Sequence, residues 1–231
     1  MSILYIVATP IGNLSDISQR ALETLKQVDY ILCEDTRLSQ KMFFHFNIKK
    51  PLIAYHQHSC LAKIDYILGL LQSGKNLALI SDAGTPGISD PGGKLVQEVI
   101  KSLSGQVKIV PIPGASAITA IASVCGFPMD RFLFLGFPPQ KKKRKQFFEE
   151  IANAKYPVIF YESPYRIIKT FNDLRFMIQD SGIKDKMRVV AGRELTKKFE
   201  TIYRGTIETV IQAIEKDKIK GEFTVVVGRL K

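Results

Sequence analysis

Residues 80–93 read Ile-Ser-Asp-Ala-Gly-Thr-Pro-Gly-Ile-Ser-Asp-Pro-Gly-Gly, and they follow directly on the apolar run Leu77-Ala78-Leu79. A helical pattern begins near Lys94. A buried strand, a Gly/Pro-rich loop and a helix, in that order, are the parts of an open α/β sheet, and ligands settle where such loops leave the strands. A plain connection takes about two to six residues, so this loop is longer than a change of direction requires. Its four glycines and two prolines let the backbone approach a ligand closely while limiting loop entropy.

The rest of the first half repeats the alternation. Apolar, β-branched runs predict strands at 4–8, 30–33, 77–81 and 107–111, with helices at 18–27, 39–44, 60–73 and 94–103. This pattern means βαβ units and a mostly parallel sheet. The turn Pro113-Gly114-Ala115-Ser116 then opens a small-residue helix over 117–124. The second half starts afresh. It predicts strands at 132–137, 157–161, 188–192, 200–204 and 222–228, and helices at 144–152, 165–179 and 207–215. Two domains are expected, 1–115 and 116–231, packed without a low-complexity linker.

The formal net charge is +11 and is unevenly spread. Residues 1–115 hold 11 Lys/Arg against 9 Asp/Glu, whereas residues 116–231 hold 22 against 13. Five consecutive cations, Lys141-Lys142-Lys143-Arg144-Lys145, stand out. A polyanionic partner follows, nucleic acid ahead of membrane. Such a run grips phosphates rather than reading bases. Preceded by Pro138-Pro139 and lacking large apolar residues, it reads as a loop that orders on binding RNA. The plainer alternative is a solvated helix start, although positive charge there opposes the helix dipole.

Other classes lose their signatures. No apolar stretch approaches the length of a membrane span, and the chain opens into a strand-like run rather than a secretory signal. Cys33, Cys60 and Cys125 form no CxxC and read as reduced thiols of a cytosolic protein. There is no Walker A motif and no G-x-G-x-x-G after the first strand. HExxH is missing, and Gly114-Ala115-Ser116-Ala117-Ile118 lacks the closing glycine of a nucleophile elbow. His45, His56 and His58 offer no metal triad. Glu34, Asp35 and Arg37 follow the second strand and so sit at its ligand end, either as chemistry or as a Glu34–Arg37 ion pair. Lys197 and Glu200 are further candidates for the proton-handling group.

Several long segments together carry a resemblance. They are Val7-Ala8-Thr9-Pro10-Ile11-Gly12-Asn13-Leu14-Ser15-Asp16-Ile17, Cys33-Glu34-Asp35-Thr36-Arg37, the 80–93 loop and Pro111-Ile112-Pro113-Gly114-Ala115-Ser116-Ala117. Phe160-Tyr161-Glu162-Ser163-Pro164-Tyr165-Arg166 and the stretch from Gly192 to Glu200 continue it. The chain resembles the bacterial small-subunit ribosomal RNA cytidine 2′-O-ribose methyltransferases of the tetrapyrrole methylase superfamily. One departure is Tyr55-His56-Gln57-His58-Ser59, where an Asn is expected at position 59.

The resemblance implies two α/β domains, a homodimer in the cytoplasm, and S-adenosyl-L-methionine held in the cleft between the domains. The implied cofactor residues are Pro10, Ile11, Gly84, Thr85, Pro86, Gly87, Ile88, Ser89, Ser116, Ala117 and Tyr161. Many relatives carry Gly-Asp-Pro where this chain has Gly84-Thr85-Pro86, so an acidic contact is either lost or moved to Asp82 or Asp90. Asp90 is equally placed to cap the following helix. The catalytic candidates are Glu34, Asp35 and Lys197. Small-subunit ribosomal RNA is the implied partner, contacted by Arg37, Lys141, Lys142, Lys143, Arg144, Lys145, Arg166, Arg193 and Lys198. The competing readings are a tetrapyrrole C-methyltransferase and a non-catalytic RNA-binding assembly factor.

Overall fold

The structure is a computed structural model that describes residues 1–56, 61–179, 186–217 and 219–229. His58, Ser59 and Cys60 lie outside the described residues. The chain divides into two compact units, Met1–Ser116 and Ala117–Lys231.

The first unit contains β1 (Ser2–Val7), α1 (Gln19–Gln27), β2 (Tyr30–Cys33), α2 (Thr36–His45), β3 (Leu52–Ala54), α3 (Leu61–Gln72), β4 (Leu77–Leu79), α4 (Gly93–Ser102) and β5 (Val107–Ile112). The strands form one parallel sheet in the order β3-β2-β4-β1-β5. Connections after β1 and β2 run toward the β3 edge, and those after β3 and β4 run toward β5. Right-handed crossovers then put α1 and α2 on one face and α3 and α4 on the other.

Two cores result. Leu4, Leu32, Leu77 and Leu79 pack against Ile64, Ile67, Leu95 and Val99 on one side. Val7, Ile31, Cys33, Ala78 and Ile80 pack against Ala21, Leu25 and Phe43 on the other. Burial of both faces explains the uninterrupted apolar runs that mark these strands. Because loops after β1 and β2 leave toward one face and the loop after β4 toward the other, a crevice opens beyond the C-terminal ends of these strands.

The second unit contains α5 (Ala117–Val124), β6 (Leu133–Phe134), α6 (Arg144–Asn153), β7 (Val158–Glu162), α7 (Ile167–Ile178), β8 (Met187–Arg193), β9 (Thr201–Gly205), α8 (Ile207–Glu215) and β10 (Phe223–Arg229). Its sheet order is β6-β7-β10-β8-β9. β6 and β7 pair in parallel; β7–β10, β10–β8 and β8–β9 are antiparallel. One face packs Phe160, Val189, Ala191 and Val225 against Phe148, Phe171, Leu174 and Val210 of α6, α7 and α8.

Cys33 and Cys125 are buried free thiols. Among the described residues no helix is long and apolar enough to cross a membrane, and no group of three or more His, Cys, Asp or Glu is arranged to hold a metal ion.

Candidate active site

The loops beyond β1, β4 and β5 are stitched together by main chain. Thr9 N donates to Gly84 O at 2.8 Å and Gly84 N returns to Thr9 O at 3.1 Å. The Thr9 hydroxyl, itself buried, donates to Ser81 O at 3.1 Å. Thr85 Oγ1 donates to Ala115 O at 3.3 Å. Thr9 went unnoticed in the sequence, although a buried hydroxyl between an apolar strand and Pro10 needs a partner. Pro10, Gly84 and Pro86 are buried, Ile11 and Thr85 half-buried, and Asp82, Gly87, Ile88 and Ser89 exposed. A cavity of about 220 Å³ lies beside them, lined by Pro10, Gly12, Leu14, Leu38, Ser81 and Asp82.

Glycine is required at two positions here. Gly84 has φ +79°, and a Cβ on it would stand 3.3 Å from Ile11 Cγ2. Gly92 has φ +147°, and its Cβ would meet Leu79 Cδ2 at 3.0 Å and Gly87 N at 3.2 Å. Gly92→Ala is expected to cost about 1–2 kcal/mol from backbone strain, more if Leu79 cannot move. Thermal unfolding checks this; an unchanged midpoint would mean the loop rearranges freely.

The acidic residues at the strand ends have different tasks. Asp35 caps α2, accepting from Arg37 N and Leu38 N, and pairs with the exposed Arg37 guanidinium at 3.2 Å. Those hydrogen bonds from Arg37, and the cap, hold the Asp35 carboxyl below its ordinary range. The ion pair at this edge is therefore Arg37–Asp35 rather than Glu34–Arg37. Asp82 Oδ1 accepts from Asp35 N at 3.1 Å, which ties the β4 loop to the end of β2. Glu34 has its carboxyl pushed up, first by burial and then by the charge of Asp82, with His56 pulling the other way. The N-cap position of α4 is Gly92, not Asp90. Ser116 closes the first unit, and Ala117 opens α5 of the second.

In the second unit the ends of β7 and β8 lie level, since Glu162 and Arg193 both pair with Phe223 of β10 between them. β6 runs alongside β7 in the same direction, so its following loop emerges at this edge too. Tyr161 sits here, its ring 5.1 Å from that of Phe134 and 5.3 Å from that of Phe137. Lys141, Lys142, Lys143 and Lys145 are exposed, and Lys145 lies 3.6 Å from Glu149. Lys197 Nζ donates to Glu194 Oε1 at 2.9 Å and lies 3.8 Å from Glu222, so this candidate proton acceptor already serves as a donor. Lys198 is exposed.

Three arginines depart from the role expected of them. Arg144 is directed inward: Nε bonds Asp173 at 2.7 Å, Nη2 bonds Thr170 Oγ1 at 2.9 Å and Nη1 bonds Pro139 O at 3.0 Å. Arg193 is 7% exposed and pairs with Asp217 at 3.0 Å. Arg166 Nη2 lies 2.8 Å from Oε1 of Glu162, whose side chain is wholly buried. Glu162 also accepts from Ser163 N at 2.8 Å and Thr170 Oγ1 at 2.6 Å. A chain of hydrogen bonds thus runs from the lysine loop through Arg144 and Thr170 to the end of β7. No spacing in the sequence announces it, beyond a carboxylate closing an apolar strand.

A two-unit chain with a Gly/Pro crevice beyond a parallel sheet, followed by a mainly antiparallel sheet, agrees with comparison to known proteins. The family model for tetrapyrrole (corrin/porphyrin) methylases matches residues 3–211. The chain belongs to the tetrapyrrole methylase family. This tetrapyrrole methylase is 43% identical over 230 residues to the "Ribosomal RNA small subunit methyltransferase I" of Synechocystis sp., covering 99% of this chain and 79% of that protein. It is 46% identical over 227 residues to the protein of the same name from Mycoplasmopsis pulmonis, covering 98% and 97%. Among solved structures, the methyltransferase CobJ matches with a TM-score of 0.70 at 15% identity, covering 99% and 95%. Cobalt precorrin-4 methyltransferase, CbiF, matches with a TM-score of 0.68 at 20% identity, covering 98% and 94%. At those identities the structural likeness concerns the tetrapyrrole methylase fold alone.

Proposed function

We propose that this tetrapyrrole methylase transfers a methyl group from S-adenosyl-L-methionine to the ribose 2′-hydroxyl of a cytidine in small-subunit ribosomal RNA, acting as a homodimer in the cytoplasm. The names of its near relatives support the substrate. The observation that carries the reading is the cationic edge of the second unit, where Lys141, Lys142 and Lys143 are exposed on a loop anchored by Arg144. A polyanion suits that edge.

The first-unit crevice fits the donor. A sulfonium and an amino group call for negative charge and main-chain acceptors. Glu34 and Asp82 supply the first, and the positive-φ turns at Gly84, Gly87 and Ser89 redirect main-chain groups for the second. Bound adenosylmethionine would supply an electrophilic methyl group, open to in-line displacement. Pro10, Ile11, Gly84, Thr85, Pro86 and Gly87 are the residues assigned to hold it. Glu34 is assigned to take the hydroxyl proton as the oxygen attacks. The helix cap on Asp35 and the carboxylate partners of Lys197 favour Glu34 over either for that task.

The test is transfer of labelled methyl to small ribosomal subunits from a strain lacking the gene, with uroporphyrinogen as the competing acceptor. The expected product is 2′-O-methylcytidine in digested ribosomal RNA. Label on uroporphyrinogen and none on RNA would overturn the assignment. Neutralising Lys141, Lys142 and Lys143 together should weaken RNA binding and shallow its salt dependence by up to about 2 in log–log slope. Adenosylmethionine affinity by calorimetry should stay unchanged. An unaltered slope would remove the loop from RNA binding.

A further inference from the structure

Two large aromatic side chains are left open to solvent at the edge that carries these lysines. Tyr165 is 94% exposed and Phe199 is 69% exposed. Neither belongs to the core of the second unit. Tyr165 follows β7 and Phe199 follows β8, strands whose ends lie two strand spacings, about 10 Å, apart across β10.

The backbone behind each ring is fixed. The Tyr165 turn is closed by Arg166 N to Ser163 O at 3.1 Å and by the Arg166–Glu162 pair. The Phe199 turn is closed by Lys197 N to Glu194 O at 3.0 Å, Glu200 N to Lys197 O at 3.1 Å and Thr196 N to Glu200 Oε2 at 2.6 Å. Glu194 and Thr196 both hold positive φ there, an arrangement the surrounding bonds must enforce. Lys198 Nζ lies 5.7 Å from the centre of the Phe199 ring. Phe137, 51% exposed, adds a third ring beside Tyr161.

Rigidly presented aromatic faces interleaved with cations suit unpaired nucleotides: bases stack on the rings while phosphates meet the lysines. Paired RNA offers no free base faces, and its recognition runs through shape and backbone instead. We propose that Tyr165 and Phe199 are stacking platforms for unpaired bases, so that the RNA segment engaged by the second unit is bound single-stranded. This rests on the reading that the substrate is RNA.

The test is fluorescence anisotropy of the full chain with a short unstructured RNA, and with the same strand annealed to its complement, across a range of salt. The single strand should bind more tightly than the duplex. Tyr165→Ala and Phe199→Ala should each weaken single-strand binding by about 5- to 150-fold without altering the salt slope. Tyr165→Phe and Phe199→Tyr should bind as the parent does. Both rings lie outside the core, so the variants keep their fold, which circular dichroism verifies.

Unchanged affinity in both alanine variants would overturn the proposal. So would a preference for duplex, or a variant that changes oligomeric state while binding RNA normally, which would mark the rings as a self-association face. Methyl transfer to small subunits by the parent separates this result from the functional reading. Transfer with ring-independent binding sinks only the stacking proposal. No transfer, with ring-dependent single-strand binding, sinks only the catalytic one.

Discussion

Replacing Glu34 by Gln is expected to lower kcat by about 10²- to 10⁴-fold, the usual contribution of a positioned general base. Adenosylmethionine affinity should fall far less than kcat, because the main-chain contacts assigned to the donor are untouched and Asp82 keeps its charge. The pH profile gives the sharper reading. Glu34 serves only when ionised, and burial together with Asp82 raises its carboxyl above the ordinary 4.5. Activity should therefore be full on the alkaline side and fall as pH drops through a value above 4.5. Asp82→Asn removes one of the raising influences, so the acid limb should move to lower pH. His56→Gln removes the opposing influence and should move it higher. If Glu34→Gln retains most of the activity, or the limb ignores Asp82, another group accepts the proton.

Glu162→Ala should cost the second unit about 3–5 kcal/mol, the range for removing one partner of a buried ion pair. The substitution takes the shared carboxylate from Arg166, the Thr170 hydroxyl and the Ser163 amide at once, leaving Arg166 its bond to Ser163 Oγ and Thr170 its bond from Arg144. Glu162→Gln keeps a hydrogen-bonding side chain of the same shape and should lose less. Denaturant unfolding followed by a probe in the second unit would measure both; a loss well under 1 kcal/mol for the alanine variant would show that water replaces the carboxylate. Because Thr170 also receives Arg144, the damage should reach the lysine loop, seen as weakened RNA binding in chains that remain folded.

The elements written most plainly in the sequence are those whose signals are local. α8 has the expected limits because Thr206 caps it and its apolar residues recur at helical spacing. β2 and α5 also begin and end where expected. β3 escaped notice because three residues after Pro51 are too few to show a period. α2 begins at Thr36, before the expected 39, because its cap is Asp35, a carboxylate whose value to the chain is partly structural.

The pairing direction of the second sheet was not legible. β7, β8 and β10 are buried on both faces, so they read like parallel strands although most of their neighbours run the other way. At the site, the Gly/Pro loop and the acidic strand ends stood out because their chemistry is contiguous in sequence. Arg144 and Arg193 did not, because their partners, Asp173 and Asp217, lie far along the chain. Charge can be counted residue by residue, but whether it faces inward depends on residues that only the fold brings together.

The reciprocal pair between Thr9 and Gly84 makes two loops behave as a miniature sheet. In hydrogen–deuterium exchange, their amides should resist labelling as strand residues do, while the exposed Gly87 and Ser89 label early. The floor of the crevice would then be as stiff as the framework beneath it, and only its rim would be free to adapt to what arrives.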